Sequence, residues 1–163
     1  MRWDVYECHR QDREAGIIGI RDFQNPKLRR ENVKKDVGVV KHALQHQLGF
    51  NVEHSKIGFV TAEDAKELVN RLVENARRGT KDMVCLVVLT HGQGYNDLLF
   101  SCGTIMTLTE LVRPILESAY FVGKPKIFII VASRDGPGIS ERRQFITDYT
   151  TDRSKIASKF VKK

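Results

Sequence analysis

Apolar residues come in short continuous runs that alternate with stretches of helical period, and that alternation sets the expected elements. "AGIIGI" (Ala15 to Ile20) predicts a first strand, and the chain from about Asn32 to Gln47 predicts a helix. A short strand near "FNVEH" follows. "TAEDAKELVNRLVENA" then opens with Thr61 three residues before Asp64, a capping-box spacing. Its apolar set Ala65, Leu68, Val69, Leu72, Val73 and Ala76 falls on one helical face. "DMVCLVVLTHG" is continuous in Val and Leu, as a strand covered on both sheet faces requires, and it ends at His91-Gly92. "TLTELVRPILES" repeats the cap with Thr107 and Glu110, while Pro114 should kink or shorten that helix. "GKPKIFIIVAS" predicts the last strand. After Gly138 the pattern degrades to polar and charged residues, and no further strand is expected. The elements therefore predict an α/β fold, a mostly parallel sheet with helices on both faces.

Composition adjusts this picture in two places. The 163 residues with 41% hydrophobic content suffice for one domain with a core. The formal charge of +7 would suit an anionic partner, but residues 141 to 163 hold seven Lys or Arg against three acidic residues and so supply +4 of it. We read this segment as a basic polar tail, and neither nucleic acid nor a membrane is an expected partner. Cys8, Cys85 and Cys102 have no paired spacing, which points away from a disulfide framework or a zinc cluster and toward the cell interior. The longest apolar runs are too short to span a bilayer, so a soluble, cytoplasmic protein is expected.

In a parallel sheet the carboxyl ends of strands share one edge, and two of them carry chemistry here. His91 ends one strand and Ser133 ends another. A histidine facing a small nucleophile can take its proton, and the Gly92 N–H could stabilise an oxyanion, so these three residues are the expected catalytic positions. His42 and His46 lie four apart on the predicted helix, a spacing compatible with a metal. With no acidic residue between them and no third ligand evident, they read as a solvated pair, and no metal or other cofactor is expected.

The run "DMVCLVVLTHG" followed by "GKPKIFIIVASRDG" resembles the large catalytic subunit of a caspase, whose Q-A-C-[RQG]-G signature lies about 50 residues after the catalytic histidine. "RRENVKKD" resembles the R-x-G-T-x-x-D stretch of the family, with Arg30 and Asp36 at the same separation, and "LGFNVEH" and "AGIIGIRDF" match in kind and order. The resemblance covers about residues 6 to 136. It implies a caspase-like three-layer fold over residues 1–138, with 139–163 as a tail or intersubunit linker and without the strands of a small subunit. It places Arg30 and Val131 at substrate-binding positions and Ser133 at the position of the cysteine. Asp148 and Asp152 in "ITDYTTD" would then be processing sites.

The departures matter as much as the matches. Serine replaces cysteine at residue 133, Val131 stands where the family has glutamine, and Asp135 stands where it has glycine. A cysteine thiol ionises readily beside histidine, whereas a serine hydroxyl needs a well-oriented base. The expected function is therefore a catalytically inactive caspase homologue that regulates apoptotic or inflammatory caspases by binding. The alternative is the large subunit of an aspartate-specific cysteine endopeptidase captured as a Cys-to-Ser variant; a working serine hydrolase is a third class. A small subunit, an active relative or a second copy would be the partner, pairing with the strand that ends at Ser133.

Overall fold

The computed structural model describes residues 12–94, 96–133, 142–149 and 157–161, the last two segments through their backbone. Strands β1 (Arg13–Asp22), β2 (Asn51–Phe59), β3 (Met83–His91) and β6 (Lys126–Ser133) are the parallel core of one sheet. Two short strands, β4 (Asp97–Leu99) and β5 (Ile105–Thr107), form a hairpin attached to the end of β3 through His91 and Leu99. Strands β7 (Arg142–Tyr149) and β8 (Ala157–Val161) continue the sheet beyond β6 as antiparallel neighbours, giving the order β2-β1-β3-β6-β7-β8. The segment read from its composition as a tail therefore contains two strands. One consequence corrects the expected docking edge: β6 is paired along its whole length by β7, from Lys126 with Tyr149 to Ser133 with Arg142.

Helices cover both faces, as the continuous apolar strands require. Helix α1 (Val33–His42) runs into one π turn (Ala43–Gln47), and its Val33, Val37 and Leu44 bury against Ala15, Ile17, Cys85, Val87 and Leu89. Helices α2 (Ala62–Arg78) and α3 (Leu108–Leu116) cover the other face over Ile18, Ile20, Leu86, Val88, Phe128 and Ile130. The alternation of β1 residues between the two clusters is the period of two of an extended chain. Two glycines let the helices come close. A Cβ on Gly16 would lie 2.6 Å from Leu68 Cδ2 on α2, and one on Gly19 would lie 2.7 Å from Val37 Cγ2 on α1.

The Thr61 cap forms the full box, with its hydroxyl accepting from the Asp64 N–H and the Asp64 carboxylate accepting from the Thr61 N–H. Thr107 forms half of one: its hydroxyl accepts from the Glu110 N–H, while the Glu110 carboxylate pairs with Lys66 on α2. The helix it opens is short, ending two residues after Pro114. No helix among the described residues is long and apolar enough to cross a membrane.

Candidate active site

The in-register pairing of β3 with β6 places His91 opposite Ser133, each at the last residue of its strand. Ser133 Oγ lies 3.0 Å from His91 Nδ1. The other ring nitrogen, Nε2, lies 2.7 Å from the Leu28 carbonyl oxygen. A carbonyl can only accept, so the short Leu28 contact calls for the proton on Nε2, while Nδ1 faces the serine hydroxyl and lies a longer 3.4 Å from the Ser133 carbonyl. The imidazole is further held by the Phe23 ring, with centroids 5.1 Å apart at 51°, and is buried. Among the described residues, then, His91 is oriented as a base toward Ser133.

Leu28 reaches His91 because of a one-turn helix over Pro26–Leu28. Asn25 caps it by accepting from the Lys27 N–H, and Pro26 at the first helical position supplies a preset φ. The following loop is tied to the end of β1 by the Arg30 N–H, which donates to the Arg21 carbonyl at 2.9 Å. Arg30, half-buried, thus belongs to the same loop that positions the histidine. Around it Arg21 pairs with Asp22, and Arg29 pairs with both Asp22 and Glu31. Asp36 sits apart on the exposed side of α1.

Two expected roles meet competing contacts. The Gly92 N–H donates to the Ser133 carbonyl at 3.1 Å, so in this arrangement it points into the strand pairing and not toward an oxyanion. No side chain fits at Gly92, since a Cβ there would lie 2.9 Å from the Asp97 carbonyl. Val131 pairs with Leu89 and packs against the α1-side cluster, which makes it part of the apolar wall below Ser133. Asp148 lies within β7, opposite Ile127 on one side and Ala157 on the other, so its backbone is laddered at both edges. Asp135 and Asp152 fall outside the described residues.

The carbonyl of Leu28 and the ring of Phe23 were not legible as site components. A backbone carbonyl leaves no mark of its own in a sequence, and only the Asn25-Pro26 cap signal hinted at an ordered turn there. Neither described cysteine lies at the His91–Ser133 edge. Cys85 is sealed inside the α1-side cluster, where burial pushes its thiol up to about 12, and Cys102 lies on the turn between β4 and β5. Among the described residues no group of three or more His, Cys, Asp or Glu could hold a metal ion.

The sheet order and this His–Ser edge can be set against known proteins. Among solved structures 202 chains match, including the crystal structure of the Drosophila initiator caspase Dronc, which superposes with a TM-score of 0.67 at 18% sequence identity. The match covers 78% of this chain and 55% of that one, so the chain spans about half the length of that structure. At this identity the likeness concerns the fold: a central sheet with helices on both faces. No curated protein matches the sequence. The family model of the caspase domain, peptidase C14, matches residues 12–161, from the start of the described sheet to the end of β8. Matched over most of its length, the chain belongs to the caspase family.

Proposed function

We propose that this chain is a catalytically silent caspase homologue that regulates active caspases of the apoptotic or inflammatory kind by binding them. The observation that carries the reading is the pairing at the sheet edge. A hydroxyl, not a thiol, faces His91 Nδ1, and the group on Nε2 is a neutral carbonyl. Proton transfer from Ser133 would leave an imidazolium whose Nε2 faces the Leu28 carbonyl, at the position where serine hydrolases place a carboxylate. A thiol tolerates such a base because its thiolate forms easily; a serine hydroxyl does not. The engaged Gly92 N–H weakens any oxyanion site further. With β6 paired on both sides, the outer edges of the sheet are β2 and β8, and a partner strand would add there.

Mixing the purified chain with active caspases, then measuring co-elution and the peptide-cleaving rate of the partner, tests this. The expected result is a complex and a changed rate for the partner. A chain that neither binds any of them nor alters their rate contradicts it. One observation favours a serine hydrolase as the second reading: the 3.0 Å approach of Ser133 Oγ to a correctly oriented Nδ1 is itself the geometry of an activated hydroxyl.

A further inference from the structure

The His42 and His46 rings, four residues apart across the junction of α1 and its π turn, are both exposed, and their centroids lie 4.5 Å apart at 40°. Leu44 between them is buried and fixes which side of this segment faces solvent. Neither ring takes part in the sheet-edge site. Their separation has a meaning in coordination geometry. With each ligating nitrogen about 2.0–2.1 Å from a metal and ~1.1 Å from its own ring centre, two imidazoles at a right angle around one ion have centres about 4.5 Å apart, against about 5.1 Å at a tetrahedral angle.

We infer that His42 and His46 form a two-nitrogen site for a divalent late transition-metal ion that favours right-angled ligands, Cu2+ or Ni2+, with water completing its coordination. The observed separation of the ring centres equals the value expected for the right-angled arrangement. Imidazole suits these ions, and affinity along the divalent series peaks at Cu2+. Hard cations are disfavoured, because Mg2+ and Ca2+ need oxygen donors and Lys34, Lys35 and Lys41 on the same helix repel a cation held by charge alone. Metal bound here bridges the last turn of α1 to the π turn and so stabilises that junction. Binding weakens as acid protonates the imidazoles, which must be neutral to ligate.

The site is tested with Cu2+ titrated into the full chain carrying Cys8→Ser and Cys102→Ser, so that thiols do not compete, read by calorimetry and by electron paramagnetic resonance. The expected result is one Cu2+ per chain with the signature of two imidazole nitrogens. His42→Ala and His46→Ala should each weaken binding at least tenfold, while His54→Ala on the opposite side of the fold leaves it unchanged. A loss smaller than tenfold in either variant, or a one-imidazole spectrum in the parent chain, overturns the assignment. Both replaced rings are exposed, so the variants fold, and the outcome does not depend on the regulatory reading above.

Discussion

The two ends of the parallel sheet both bury polar groups, and they do so to different effect. At the carboxyl end, Ser133 and His91 meet across β6 and β3, with the serine half-exposed and the imidazole held by a backbone carbonyl. At the amino end of β1, Glu14 is wholly buried; the Asn75 amide donates to its Oε1 at 2.6 Å, and the same nitrogen lies 2.9 Å from His54 Nε2. Its second oxygen, Oε2, is buried with no hydrogen-bond partner among the described residues. Burial pushes the Glu14 carboxyl up, against the opposing pull of the Asn75 hydrogen bond and the Lys81 charge. One end presents chemistry to solvent and the other hides it as a structural clasp joining β1, β2 and α2. Buried polarity alone does not mark a site; access does.

The largest effect expected serves both ends. Leu72 lies between them, wholly buried on α2 against Gly16, and Leu72→Ala should destabilise the chain by about 2–5 kcal/mol. Denaturant melting would check it, and a cost below about 1 kcal/mol would mean that α2 is not the common support. Next comes Asn75→Ala, expected to cost about 1–3 kcal/mol because the wholly buried Glu14 Oε1 is left without its donor. Ser133→Ala, at the open end, should cost about 1 kcal/mol or less. Equal costs at the two ends would erase the contrast.

A pH series sharpens the same contrast. The folded carboxyl of Glu14 titrates above its ordinary value of 4.5, so the folded chain holds that proton more tightly than the unfolded one. Its stabilising contribution is full below about pH 4.5 and is lost as pH rises through the folded value. Glu14→Gln, which keeps the shape and cannot ionise, should flatten this part of the profile in denaturant melts taken from about pH 4.5 to about pH 8. An unchanged profile in the variant would place the dependence elsewhere. The smallest effect is on turnover: Ser133→Cys alone should raise peptide cleavage little, since Val131 still lines the wall below the nucleophile position and the Gly92 N–H remains engaged. Robust cleavage by that one variant would favour the Cys-to-Ser endopeptidase alternative.

Strands β1, β3 and β6 and helix α2 were readable because their apolar patterns match their burial, and the Thr61–Asp64 box marked a helix start that the structure keeps. The meeting of His91 with Ser133 was readable too, since parallel strand ends must share an edge. Strands β7 and β8 were not. "RRQFITDY" and "ASKFV" mix charge with few apolar residues, and a strand added at the side of an existing sheet draws on backbone pairing that composition does not record. The engagement of the Gly92 N–H by the Ser133 carbonyl depends on register, which no pattern along one strand fixes. The approach of the His42 and His46 rings was legible in outline from their four-residue spacing, whereas the π turn that carries His46 has no sequence signature of its own.

A silent Ser133 opposite a well-placed base is the central expectation of the proposed function. Its most direct test is hydrolysis of a fluorogenic aspartyl peptide by the full chain, compared with His91→Ala and Ser133→Ala. The chain is expected to release no more product than either variant. Turnover that both substitutions abolish would contradict it and make Ser133 a working nucleophile.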